Sequence, residues 1–353
     1  MGIYNAWTDG YARETTWANE TASVSDDIPD TDAVTYSFGP LSQKSIHPSP
    51  KTQMVHAPTA VNELEVSAGE LWKASFESTG VYGLILVNGI ILQAVMGKSS
   101  TADDTPSAGL YTHTITPPTA TGGVLSAPPS FAIQHEKTGT ATTWATQFLG
   151  CTVTNLNLSC SFDRPLGAQV VWMAKKPNKV AFVLTTKPVL PPTANIAAYH
   201  LANTTITWDY GGTPVTVAGL IDMELNINTN ITALYGAIYE AGTFIGMYPY
   251  EFMRGKKYDY QLTMNVMPES SAMWEELLAS SNTKDMRFKW ARSATDYIQA
   301  DLVDCNVLSY DIMTPEQNSD DPSSFEDIAQ VVIEPRQISF TVVDSITGTH
   351  YGG

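Results

Sequence analysis

Gly150-Cys151-Thr152-Val153, continuing through Leu156, Leu158 and Cys160 to Ala168-Gln169-Val170-Val171, has an altered copy near the end of the chain. That copy is Asp304-Cys305-Asn306-Val307, continuing through Tyr310 and Ile312 to Ala329-Gln330-Val331-Val332. Around both copies the hydrophobic periods predict one order of elements: an alternating strand, an apolar helix-like segment, then two more strands. Alternating strands alone produce chance matches. The shared element order, together with Cys-x-Val and Ala-Gln-Val-Val, lifts this pair above them. A chain that carries one supersecondary unit twice, with no catalytic cluster in either, reads as a building block for a larger assembly.

Composition agrees with that class. The 353 residues suffice for one large β domain or two ordinary ones, each with its own core. Hydrophobic residues make up 43% and charged residues 16%, which marks a globular chain. Asp and Glu number 36 against 19 Lys and Arg, a net charge of -17. Such a protein meets nucleic acid by repelling its phosphates, because binding needs basic neutralisation. Three cysteines cannot build a disulfide framework. Cys151 and Cys160 fall on opposite faces of one predicted strand, and buried free thiols are the expected state. Met1 to Gly10 lacks the basic start and apolar core of a secretory signal. The longest apolar run, 81–96, is interrupted by Gly83, Asn88, Gly89 and Gln93 and is short for a membrane span. The reading is a soluble chain made in a cytoplasm, with no membrane partner.

Residues 1–62 read as an extended N-terminal arm, with Asp26, Asp27, Asp30 and Asp32, then Pro40, Pro48, Pro50 and Pro58, and little periodicity. Tyr4, Trp7, Tyr11 and Trp17 are its candidate anchors. A first unit spans 63–190. In it Trp72, Ala74 and Phe76 alternate with polar residues, and strands are expected at 111–116 and 130–135. Two readings compete for 81–96. Asn88-Gly89 between β-branched runs signals a hairpin, whereas Thr79 as N-cap, Gly97 as C-terminal glycine and the length suit a buried helix. The clearer helix in the same slot of the second copy selects the helix. Pro188, Pro191 and Pro192 mark the joint to a second unit at 191–345, and 346–353 is a C-terminal tail.

In the second unit, strands at 204–210 and 220–230 open the fold. Tyr258, Tyr260, Leu262, Met264 and Val266 alternate with Asp259, Gln261, Thr263 and Asn265 up to Pro268. Met273, Trp274, Leu277 and Leu278 form a helical stripe with Glu275 and Glu276 outside. Met286, Phe288 and Trp290 alternate with Arg287 and Lys289, and strands at 297–302 and around Cys305 follow.

Tyr111-Thr112-His113-Thr114-Ile115, Pro128-Pro129-Ser130-Phe131-Ala132-Ile133 and Gly150-Cys151-Thr152-Val153 with Leu156-Asn157-Leu158-Ser159 resemble the tail tube proteins of long-tailed, siphovirus-like viruses of bacteria and archaea. The second unit resembles the same fold in plainer form, through its Phe288-Lys289-Trp290 strand and two long closing strands, so that the likeness covers about residues 64–345. The resemblance implies a mainly β fold, with duplicated β-sandwich or split-barrel units, each flanked by an α-helix. It also implies a ring whose wall is one continuous β-barrel, with rings stacked into a conduit for DNA passage. The implied location is the virion tail, assembled in the host cytoplasm. The implied partners are further copies of the chain, the tape measure, tail terminator and distal tail proteins, and double-stranded DNA in transit without specific binding. Independently, closing exposed sheet edges into a ring removes an aggregation hazard. Two units per chain favour three chains per ring with pseudo-sixfold symmetry. Six chains are the alternative, should residues 64–200 merely decorate a single unit.

No enzyme is expected. The six histidines are scattered, none at metal-ligand spacing, so neither a metal nor a cofactor is expected. There is no phosphate loop or nucleophile elbow, and Gly211-Gly212 reads as a turn. Polar faces carry the interest instead. Glu224, Asn226, Asn228 and Asn230 alternate with Met223, Leu225 and Ile227, while Asn155, Asn157 and Ser159 alternate with Leu156, Leu158 and Cys160. Val153 breaks phase, which suggests a bulge. An ordinary solvent face gives this pattern too; in a tube these residues are candidates to line the lumen and hold DNA off the wall. The second copy is longer between its Cys and its Ala-Gln pair. The extra residues lie at 314–327, where Glu316, Asp320, Asp321, Glu326 and Asp327 are inter-ring contact candidates by resemblance; the pattern lacks a calcium loop's alternation. Two other functions remain open: the inner tube of a contractile injection system, and a carbohydrate-binding or adhesive β-sandwich. The apolar parity of most aromatic residues disfavours the latter.

Overall fold

Alternation of apolar and polar residues drives nearly every described element into a strand. The computed structural model describes residues 6–13, 43–49, 75–82, 90–102, 109–118, 129–138, 143–178, 199–209, 212–217, 219–234, 239–240, 243–244, 251–255, 257–267, 283–313 and 328–345. In chain order the first elements are β1 (Ala6–Arg13), β2 (Gln43–Ser49), β3 (Ser75–Tyr82), helix α1 (Ile90–Met96), β4 (Lys98–Ala102) and β5 (Tyr111–Thr116). Then come β6 (Phe131–Thr138), β7 (Thr143–Ser161), β8 (Arg164–Ala174) and β9 (Lys176–Asn178). A 3₁₀ turn at Leu201–Asn203 leads to β10 (Thr204–Trp208), β11 (Val215–Thr216), β12 (Leu220–Asn228), β13 (Ile231–Leu234), β14 (Tyr239–Glu240), β15 (Thr243–Phe244) and β16 (Glu251–Arg254). The chain closes with β17 (Asp259–Val266), β18 (Lys284–Ser293), β19 (Asp296–Met313), β20 (Ile328–Glu334) and β21 (Gln337–Asp344).

Three antiparallel sheets share two long strands. Sheet I runs β2-β3-β8-β7-β12-β17-β20-β19. Sheet II runs β11-β10-β18-β19-β21-β5-β4, and sheet III runs β1-β6-β7-β9. Their apolar sides join in one core: Leu156, Leu158, Leu225, Ile227, Leu262, Met264 and Val331 from sheet I, and Phe288, Trp290, Ile298, Leu302, Phe340 and Val342 from sheet II. The mainly β class is as the sequence implied.

The two copies coincide in geometry. β7 bends from sheet III into sheet I at Gly150, and β19 bends from sheet II into sheet I at Asp304, with positive φ of 66° and 53° respectively. After each bend the cysteine thiol donates to the carbonyl three residues back, Cys151 to Phe148 at 3.4 Å and Cys305 to Leu302 at 3.6 Å. A bulge follows in each, between Val153 and Asn155 and between Val307 and Ser309. The pairs Thr152–Met173, Val153–Trp172, Asn155–Val171 and Asn157–Gln169 are repeated as Asn306–Glu334, Val307–Ile333, Ser309–Val332 and Asp311–Gln330. The Lys175 amide donates to Leu149 as the Arg336 amide does to Val303, both at 3.0 Å. Gly150 suits the left-handed bend because it lacks a Cβ, whereas Asp304 is among the few other residues that tolerate it. Gly150→Val should lower unfolding free energy by about 1–2 kcal/mol or more, read as a fall in the urea midpoint. An unchanged midpoint would show that the bend carries no such constraint.

Several sequence expectations change. Residues 6–13 and 43–49, assigned to an arm, form strands in sheets III and I beside β6 and β3. Residues 81–82 end a strand and only Ile90–Met96 of the 81–96 segment is described as helix; Asn88-Gly89 lies outside the described residues. Ile91 through Met96 are all buried, which is why the segment shows no polar stripe. Gly97 (φ 91°) ends the helix, its amide donating to Gln93 at 2.8 Å. Tyr258 then offers its hydroxyl to the free carbonyls of Val95 (3.2 Å) and Met96 (3.1 Å), tying the first copy's helix to the second copy. Cys151 and Cys160 do not face opposite ways: the bulge restores phase and both are buried. Nine residues of strand, roughly 30 Å, separate them, and all three thiols are free. Burial pushes Cys160 up to about 11 and Cys305 up to about 12. The expected helix at 270–280 lies outside the described residues.

Candidate bore surface and free sheet edges

The side of sheet I away from the core is a field of amides and acids. Gln261, Asn226, Asn157 and Gln169 stand in one row across four strands. Asp311, Gln330, Asn265, Asp222 and Ser161 form another, and Asp259, Asn228 and Asn155 a third. Such rows follow from strand period: when one face is buried, register brings like positions together.

Hydrogen bonds fix the amides. Asn155 Nδ2 donates to Asn226 Oδ1 at 3.0 Å, and Asn157 Nδ2 donates to Glu224 Oε1. Asn265 Nδ2 reaches both oxygens of Asp222 at 2.9 and 3.0 Å. At the edge of the field Asn230 Nδ2 donates to Asp259 Oδ2 at 2.8 Å. That bond, with Lys257 beside it, holds the Asp259 carboxyl below the usual range. At the described positions of β7, β8, β12, β17, β19 and β20 within sheet I the single Lys or Arg is Arg164, which stands opposite Ser161 at the end of β8 and borders this face. The surface is mostly negative or neutral, and Asn155, Asn157 and Asn265 are tied to neighbouring side chains.

Of the sequence candidates, Glu224, Asn226, Asn228, Asn155 and Asn157 share this face. Asn230 stands beyond β12 in a left-handed turn (φ 52°), its amide N–H donating to Asn228 Oδ1 at 2.9 Å. Glu316, Asp320, Asp321, Glu326 and Asp327 lie outside the described residues. Asp222, Gln261, Asn265, Gln330 and Asp311 were missed as candidates. The polar parity of 259–265 signalled two of them, but only the sheet order shows that they join Asn226 and Asn157.

A second polar group is internal. Arg292 Nη2 donates to the Tyr199 hydroxyl at 2.6 Å and lies 2.9 Å from Asp296 Oδ1, with the guanidinium 4.3 Å above the Tyr199 ring. Nearby, His113 Nε2 is 3.1 Å from Asp344 Oδ1, both side chains fully buried. Burial raises the Asp296 carboxyl above the usual range despite Arg292, and raises Tyr199 strongly. Nothing in this group opens onto a described cavity. Its residues link β5, β18, β19 and β21, so its role is to join strands. Among the described residues no group of three or more His, Cys, Asp or Glu could hold a metal.

Sheet I ends on two strands with no further ladder to another described strand, β2 at one end and the 306–313 part of β19 at the other.

No curated protein matches the sequence. One solved chain, from the cryo-EM structure of the anti-feeding prophage baseplate (6-fold symmetrised), is similar at 8% identity and TM-score 0.26 over 39% of this chain and 91% of that one, a likeness too slight to carry an argument. The family model of the phage tail tube protein matches residues 10–299. That span covers most of the chain, including the first copy and β12, β17 and β18, and ends before the Asp304–Val332 motif and the β19 edge; the chain belongs to the phage tail tube protein family.

Proposed function

We propose that three chains close each ring of the tube, with the amide and acid face of sheet I lining the bore. As a tail tube protein the chain is a structural subunit of a conduit for genome passage; the symmetry and the lining are our reading. The observation that carries it is the repeated register. β2-β3-β8-β7 and β12-β17-β20-β19 are two equivalent four-stranded panels, already joined side by side. Three chains supply six panels.

Size supports this number. At the usual spacing, three eight-stranded sheets give a circumference of roughly 115 Å and a backbone diameter of roughly 37 Å, widened further by strand tilt. One chain closed on itself would fill its interior with side chains, whereas six chains would give roughly 73 Å. A bore with one Arg per chain, Arg164 at the end of β8, against Asp222, Glu224, Asp259 and Asp311 does not hold phosphates, so DNA is confined without being bound. Residues 314–327, which link β19 to β20 and lie outside the described residues, are our proposed contact with the next ring. Tape measure, tail terminator and distal tail proteins are the expected partners at the tube's interior and ends, with assembly in the host cytoplasm.

A cryo-EM class average without imposed symmetry tests the symmetry. Three chains in a ring of six similar panels is the expected result, and six chains per ring would refute it.

A further inference from the structure

The two end strands of sheet I have internal equivalents that already pair. Tracing the ladder from Val171 through Thr79 reaches Ser45, and tracing it from the equivalent Val332 through Thr263 reaches Glu224. β2 therefore occupies in the first panel the place of β12 in the second. The end of β19 occupies the place of β7. Inside the chain β7 and β12 pair antiparallel, from Ser161 opposite Asp222 to Asn155 opposite Asn228.

We infer that the joint between chains copies this internal joint: β19 of one chain pairs with β2 of a second copy, Ser309 opposite Ser49, Asp311 opposite His47 and Met313 opposite Ser45. The inference rests on the ring reading above and deepens it to a residue register. Both end strands lack a further ladder to another described strand, and each matches in order and register a strand that has one. Charge does not oppose the contact, because β2 contributes Lys44 and His47 and no acid.

The position of Pro48 is consistent with this. In β12 the Ile221 carbonyl and the Thr229 amide bond toward the β7 side, to Phe162 and Thr154 at 3.0 Å. Odd positions of β12 thus face the joint, and Pro48, equivalent to Ile227, faces it likewise. The free chain then presents an edge with one donor missing, which discourages stray pairing. The assembled joint forgoes one ladder hydrogen bond. His47 and Asp311 fall at a pair whose amides point away from the joint, where opposed Cα atoms approach to about 4.5 Å, within disulfide reach.

The test is oxidation of assembled His47→Cys/Asp311→Cys, with His47→Cys/Ser309→Cys as the control displaced by two positions, about 7–8 Å apart. The three native thiols are buried and give little background. Covalent dimers and trimers, with closed trimers as the limiting product, are expected from the first pair and little from the second. Stronger linking in the displaced pair would overturn the register while leaving the tube intact. Linking within a single chain would mean that the sheet closes on itself and would overturn the joint. The unmodified chain guards against a variant that fails to fold: the backbone amides of Lys44, Ile46 and Ile312, whose parity turns them toward the joint, should gain hydrogen-exchange protection on assembly, and no gain overturns the inference. Absence of rings or tubes from the unmodified chain by microscopy would instead count against the ring reading itself.

Discussion

Replacing Arg292 by Met should remove about 3–5 kcal/mol of stability, the usual consequence of taking one partner from a buried ion pair. The Arg292 side chain is fully buried, and its loss leaves the Asp296 carboxylate without a cation, held only by the Tyr199 hydroxyl at 3.3 Å. The loss should also depend on pH in a defined direction. Burial already holds Asp296 above the ordinary aspartate range, so the folded state binds that proton more tightly than the unfolded state. Without Arg292 this shift grows. The variant's deficit relative to the natural chain should therefore shrink below the unfolded pKa of about 4 and widen as pH rises through the folded value. Adding Asp296→Asn to Arg292→Met should recover part of the stability at neutral pH, since the stranded charge is then gone. Urea titrations at pH 4 and 7 check both statements. A deficit that does not vary with pH would show that packing, and not the unpaired charge, is responsible.

The second large effect is expected in the bore. Glu224, Gln261 and Asp311 are exposed on the polar face of sheet I. Changing all three to Lys adds about fifteen units of positive charge to a three-chain ring, and each phosphate neutralised steepens the salt dependence of binding. Tubes of the natural chain should leave short DNA duplexes free at 50 mM salt. Variant tubes should retain them, losing affinity by about 10³-fold or more between 50 and 200 mM salt if six or more phosphates are engaged. Virions built with the variant should deliver their genomes slowly. Equal behaviour of both tubes toward DNA would place this face outside the bore.

Much of this architecture is legible in the sequence because its signals are local. The alternation in 258–266 and 286–290 gives β17 and β18, and the phase break at Val153 gives the bulge. The Cys-x-Val and Ala-Gln-Val-Val matches give the repeat. What was missed depends on distant partners. β1 and β2 carry weak periods, with Gly10 and Pro48 inside them, and become strands because β6 and β3 offer ladders far along the chain. The helix read at 81–96 is described at Ile90–Met96, and its start was not legible because a helix buried on all sides has no polar stripe to reveal its period. The bore candidates were found strand by strand, so Asn226 and Asn157 were named without Gln261 or Asp222, which only the sheet order sets beside them. Parity counted across a bulge also misplaced Cys160.

The two panels are alike in register but not in their end connections. β7 turns into β8 through Phe162 and Asp163 alone, with Phe162 81% exposed, whereas β19 and β20 are separated by residues 314–327. A ring of three such chains would present short and long connections in alternation around one rim. Neighbouring rings could then mate only at angular settings 120° apart, where six identical panels would permit 60°. Halving the number of interchangeable orientations in this way would act as a rotational key. It would resist slippage of one ring on the next when the tail is twisted, a torsional stiffness that a sixfold ring would have to draw from contact strength alone.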